Sequence, residues 1–119
     1  MRLRYRKAKA IDGDTLRIKW KGLAWYVRII GLDTDEISGP HKKRALEQKE
    51  ELERHLRRWP KAKIVASVHK TRTEKWKYLK HHNGRFLCHV YIWKWFRYVN
   101  YADYMKSKGM VKRNSKWNK

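Results

Sequence analysis

Two turn signals in the first 22 residues, Asp12-Gly13 and Lys21-Gly22, constrain this chain more than any other feature. Asp-Gly is a strong hairpin signal, because both residues accept the tight backbone of a two-residue connection. A strand of basic and apolar residues precedes it, from Leu3 to Ile11. After it, Thr15 to Trp20 sets Leu16, Ile18 and Trp20 on one face and Arg17 and Lys19 on the other, the period of a half-buried strand. Beyond Lys21-Gly22, Ala24 to Leu32 reads as a third strand ending in an apolar run. Three short strands in antiparallel succession make a meander.

Ile37 to Gly39 reads as a loop, and Pro40 suits the first turn of a helix. That helix is expected from His41 to Trp59, on an apolar stripe of Ala45, Lys49, Leu52 and Leu56 broadened by Leu46 and Trp59, with Pro60 ending it. A fourth strand, Lys63 to Val68, leads into the basic stretch HKTRTEKWKYLKHHNGR. Asn83-Gly84 is a further turn signal before a strand from Phe86 to Trp93. A hairpin through KWFRY and a helix from Asn100 to Lys108, closed by Gly109, complete the pattern. The predicted class is mainly β with helices (α+β): a five-stranded OB-fold barrel with a helix after strand 3 and a C-terminal helix. Residues 1–111 form one domain, and 112–119 a basic polar tail expected to be disordered.

Charge limits the partners. With 32 Lys and Arg against 11 Asp and Glu, the net charge of +21 points to a polyanion, nucleic acid before an anionic membrane surface. Residues 1–59 hold 16 basic and nine acidic side chains, and residues 60–119 hold 16 and two, so the second half is the main cationic footprint. One cysteine, Cys88, excludes a disulfide framework and a Cys-rich zinc site, and on its strand it reads as packing. The start, MRLRYRKAKA, lacks an apolar signal core, so an intracellular protein is expected unless a leader has been removed. A monomer that does not span a membrane is expected.

Three segments carry possible chemistry: AIDGDTLRI with Asp12, Asp14 and Thr15; VRIIGLDTDE with Arg28, Asp33, Thr34 and Glu36; and NGRFLCHVY with Arg85. Carboxylates clustered in so basic a chain would repel a nucleic acid, and a bound hard cation would remove that conflict. Phosphodiester hydrolysis needs such a cation to carry a phosphate oxygen and hold water, guanidinium groups for the extra transition-state charge, and a carboxylate to orient or deprotonate the water. Taken singly, Asp12-Gly13 is an ordinary hairpin turn, and Asp33 to Glu36 an acidic loop before a helix.

In that order and spacing, over residues 8 to 111, the motifs resemble those of the staphylococcal nuclease family: a DGDT turn, an R-x-x-G-x-D-T strand end, a GP helix start and a GR before a strand. The resemblance implies Asp14, Asp33 and the Thr34 carbonyl as metal ligands, Glu36 as base or water-positioner, and Arg28 and Arg85 on the phosphate. It further implies Ca2+, with another divalent cation as the alternative, action on single- or double-stranded DNA and RNA, and 3′-phosphate products. Asp35 stands where the family has Pro, and Asn83 where it has Tyr. The loop before Arg85 is longer, and RNSKWNK replaces a third helix.

The segment KTRTEKWKYLK suits a projecting hairpin that tracks a phosphate backbone with Lys70, Arg72, Lys75 and Lys77. Trp76 and Tyr78 would either stack on bases or cover the barrel. His81-His82 reads as a solvated loop. The competing functions are a non-catalytic basic OB-fold nucleic-acid-binding protein and a basic protein that compacts nucleic acid.

Overall fold

A computed structural model describes residues 2–20, 22–69, 77–78 and 86–112. The chain is an α+β protein with a strand-rich sheet and two helices. In chain order the strands are β1 (Arg2–Leu3), β2 (Ala8–Asp12), β3 (Thr15–Trp20), β4 (Leu23–Ile29), β5 (Lys63–Ala66), β6 (Val68–His69), β7 (Lys77–Tyr78), β8 (Phe86–Lys94) and β9 (Arg97–Asn100). The helices are α1 (Lys42–Arg57) and α2 (Tyr101–Ser107).

The meander is present, and β3 has the bounds its alternation predicts. The expected first strand is two: β1 pairs with β5 and β2 with β3. The seven-stranded sheet runs β1-β5-β8-β4-β3-β2, with β9 on β8, and only β4 and β8 pair in parallel. This path leaves β1 and β2 at opposite ends, and among the described residues no pairing closes it into the expected barrel. β6 and β7 form a separate antiparallel ladder.

Alternation sorts the side chains. Along β8, Phe86, Cys88, Val90 and Ile92 are buried while Leu87, His89, Tyr91 and Trp93 are half-buried. The core joins these to Leu16, Ile18, Val27 and Ile29 of the meander, Leu52 and Leu56 of α1, and Tyr101 and Met105 of α2. Each fully buried Leu or Ile contributes roughly 1.5–3 kcal/mol.

The expected apolar stripe of α1 is only half right. Leu46 is 43% and Trp59 81% exposed, while Gln48, Glu51 and His55 are buried beside Ala45, Leu52 and Leu56. Each buried polar group has a partner from outside its own turn or one turn away. Tyr104 Oη donates to Glu51 Oε1 at 2.8 Å, His55 Nε2 lies 3.1 Å from the same oxygen, and Gln48 binds Asp35. Burial opposes the charge of Glu51, but Tyr104, Arg54 and His55 outweigh it and bring its pKa down to about 2. Among the described residues no helix is long and apolar enough to cross a membrane.

Candidate active site

The β2–β3 turn and the loop after β4 meet because neighbouring strands deliver them to one end of the sheet. Asp12 pairs with Thr15, so Gly13 and Asp14 form the two-residue connection, next to a register irregularity between Ala10 and Asp12. Such irregularities re-aim side chains. The turn lies flush on its neighbours: a Cβ on Gly13 would stand 2.7 Å from Thr34 Oγ1 and 2.8 Å from Gln48 Cβ. Only glycine allows that approach.

Asp14 is thereby buried and heavily bonded. Its Oδ1 accepts from Thr15 Oγ1 at 2.9 Å and its Oδ2 from the Thr34 N–H at 2.9 Å. Arg28 of β4, opposite Thr15 of β3 and Leu87 of β8, forms an ion pair with Asp14 through Nη1 and reaches Asp33 Oδ1 at 3.2 Å through Nη2. One guanidinium therefore bridges carboxylates from two segments, as its planar fork permits. The Asp33 carbonyl accepts the Lys112 N–H at 2.9 Å, which ties this loop to the first residue of the expected tail; residues 113–119 lie outside the described residues.

The charges are mutually adjusted. Burial alone disfavours ionised Asp14, but the Asp12 hydrogen bond, Arg28 and the Thr34 N–H outweigh it and hold its pKa below the ordinary carboxylate range. Asp12 moves the other way, pushed up to about 7 by burial and by its acidic neighbour. Burial opposes the charge on Arg28 too, and Asp14 and Asp33 more than restore it. The surroundings thus favour the charge of Asp14 and oppose that of Asp12.

The structure brings together Asp14, Arg28, Asp33 and Thr34. Glu36 is exposed on the same loop, its carbonyl accepting the Gly39 N–H at 3.0 Å. Arg85, Lys70, Arg72, Lys75 and Trp76 lie outside the described residues, and Lys77 and Tyr78 are described only as β7. Asp35 does not add a carboxylate to this cluster. It is buried against α1, where Gln48 Nε2 donates to its Oδ2 at 3.0 Å, its N–H donates to Gln48 Oε1 at 2.8 Å, and Arg44 Nε lies 3.1 Å from Oδ2. Arg44 also donates to the carbonyls of Gly109 and Val111 at 3.0 and 2.7 Å. Sequence reasoning missed Gln48 and Arg44, although their spacing of four puts both on one helix face.

The donors can be tested against a cation. Asp14 and Asp33 offer hard carboxylate oxygens around one positive group, and the buried Thr34 Oγ1 has no hydrogen-bond partner among the described residues. That chemistry fits a hard divalent ion. The positive charge between the carboxylates is supplied here by Arg28, and among the described residues no three His, Cys, Asp or Glu side chains gather as a metal-holding group.

A second cationic feature lies elsewhere. A groove of about 730 Å3 along β2, β3 and the end of α1 is lined by Arg6, Lys7, Lys9, Arg17, Lys19, Arg57 and Lys61 against one carboxylate, Glu53. Glu53 is already engaged, accepting the Ala10 N–H at 2.6 Å. No protein-family model matches this chain, and no curated protein matches it.

Proposed function

We propose that this protein is a divalent-cation-dependent nuclease that hydrolyses phosphodiester bonds of DNA and RNA, related in fold to OB-type barrels and in site to the staphylococcal nucleases. The observation that carries the reading is the convergence of Asp14 and Asp33, from separate loops, on the single guanidinium of Arg28. A structural role alone needs only one of these carboxylates to satisfy Arg28.

Calcium, or another hard divalent ion, would be held by Asp14, Asp33 and the Thr34 carbonyl, and would supply neutralisation of phosphate charge and a more acidic water. Arg28 carries a full charge at the site and can bind phosphate oxygens with two N–H groups. Arg85 would hold the phosphate from a second direction. Glu36, exposed on the loop, has the freedom to orient a water or take its proton. The groove, lined among the described residues by seven cations against one carboxylate, supports the substrate class, since so large an excess of positive charge favours a phosphate backbone. Products ending in 3′-phosphate belong to the same reading.

A second reading is a non-catalytic nucleic-acid-binding protein. The neutralisation of Asp14 by Arg28 favours it, because that pair already satisfies both charges. Glu36→Gln separates the two. A nuclease loses at least tenfold in cleavage rate while oligonucleotide affinity holds within twofold. Absence of cleavage by the wild type with any divalent ion, with binding intact, leaves the binding protein.

A further inference from the structure

The hairpin joining β8 to β9 turns on Trp95 and Phe96, with φ of 52° and 60°. That left-handed backbone is the province of Asn and Gly in two-residue hairpins, and bulky residues adopt it only under strain. Burial does not compensate. Trp95 is 65% and Phe96 94% exposed, so the turn combines an unfavourable backbone with unfavourable solvation. A strained, exposed feature of this kind points to a ligand.

The surroundings indicate which ligand. The tip borders an open cleft of about 320 Å3 lined, among the described residues, by Arg58, Trp93, Lys94, Trp95 and Phe96, three aromatic rings and two cations with no carboxylate. Trp93 is steadied by an edge contact with Tyr98, centroids 5.1 Å apart at 76°. Lys94 Nζ lies over the Trp95 ring, 5.6 Å from its centroid, and over that of Tyr104 at 4.8 Å, while Trp95 meets Tyr104 edge-on at 6.5 Å, so positive charge stands against one side of the tip and Phe96 is left open. Cations flanking aromatic rings suit a bilayer surface as well, since Lys and Arg snorkel to the headgroups. In a single strand, each base has a phosphate one bond path away, and charge beside ring matches that pattern. A duplex hides its base faces in its own stack and offers nothing to the tip.

We propose that the Trp95–Phe96 tip is a stacking platform for unpaired bases of single-stranded nucleic acid. It is distinct from the Arg28 cluster: Arg28 is in register with Leu87, and the seven steps from there to Lys94 span roughly 23 Å of strand. The site goes beyond the proposed cleavage and does not depend on it.

The test is binding of oligothymidylate and of a duplex of equal length to the full chain, with chelator present and at about 0.3 M salt, where phosphate contacts are weakened. The variant is Trp95→Asn with Phe96→Gly, which installs the pair the turn favours and is expected to keep or raise the melting temperature. Single-strand affinity should fall at least tenfold and duplex affinity stay within twofold. Phe96→Ser alone, at a side chain almost wholly in solvent, should give a loss of at least threefold. Equal losses on both nucleic acids, or no loss, would overturn the proposal. So would a variant that keeps oligothymidylate but no longer binds phosphatidylglycerol vesicles, which would assign the tip to a membrane.

Discussion

Gly13→Ala tests whether the close approach of the two loops is what builds the site. The added Cβ would stand 2.7 Å from Thr34 Oγ1, 2.8 Å from Thr34 Cγ2 and 2.8 Å from Gln48 Cβ. Neither neighbour is free to retreat. Thr34 is 2% exposed with its N–H on Asp14, and Gln48 is 1% exposed with both ends of its amide on Asp35. Overpacking of this sort costs about 1–3 kcal/mol. Reduced freedom of the unfolded chain returns about 0.4–1 kcal/mol, leaving a net loss of up to about 2.6 kcal/mol and about 1.3 kcal/mol at the midpoints. For a domain of this size the melting temperature should drop by about 4–8 °C. Urea unfolding with an unchanged slope measures the loss. Thr34→Ala removes two of the three contacts and an oxygen that has no partner among the described residues, so in that background Gly13→Ala should cost at least about 0.5 kcal/mol less. A Gly13→Ala protein as stable as wild type, or an equal cost in both backgrounds, would refute the reasoning.

Two further outcomes are expected. Arg44→Met removes the cation beside buried Asp35 and the donor to two C-terminal carbonyls, and should destabilise the fold by about 1–3 kcal/mol in urea unfolding; no change would make the clamp incidental. Glu51 has a folded pKa of about 2 against 4.5 for the ordinary residue, so its contribution is fully present above about pH 4.5 and lost as pH falls towards 2. With exposed Arg54 and Lys108 among its partners the contribution is discounted to about 1–2 kcal/mol. The stability gap between wild type and Glu51→Gln should be at its full size above about pH 5, narrow below about pH 4.5 and close only as pH reaches about 2; a gap constant with pH would exclude the carboxylate charge as its source.

Local signals carried much of this fold into the sequence. The alternation of Leu16, Ile18 and Trp20 set β3, Asp12-Gly13 set its turn, and KWFRY set the last hairpin. Asn100, the predicted start, caps α2 by accepting the Asp103 N–H at 3.2 Å, and the helix itself begins one residue later. What stayed hidden depends on partners far along the chain. Gln48, Glu51 and His55 look like solvent-facing residues until Asp35 and Tyr104 arrive, 13 and 53 residues from Gln48 and Glu51. Trp59 looks like core because it is large and apolar, yet the chain leaves α1 at Arg57 before reaching it. Asp35 reads as one more acid beside Asp33, and only α1 shows that its carboxylate is taken up by Gln48 and Arg44. Sheet closure was beyond reach because register between distant edges leaves no local pattern.

Oligonucleotide cleavage under calcium against cleavage under chelator tests the central claim most directly. A single-stranded substrate labelled at its 5′ end would be incubated with wild type and with Asp14→Asn, whose amide keeps the shape of the turn but lacks the charge. The account predicts calcium-dependent products from the wild type, none under chelator, and a rate at least about a hundredfold lower for the variant, the scale of losing one electrostatic element of a catalytic site. Equal cleavage by both proteins, or cleavage that survives the chelator, would contradict it.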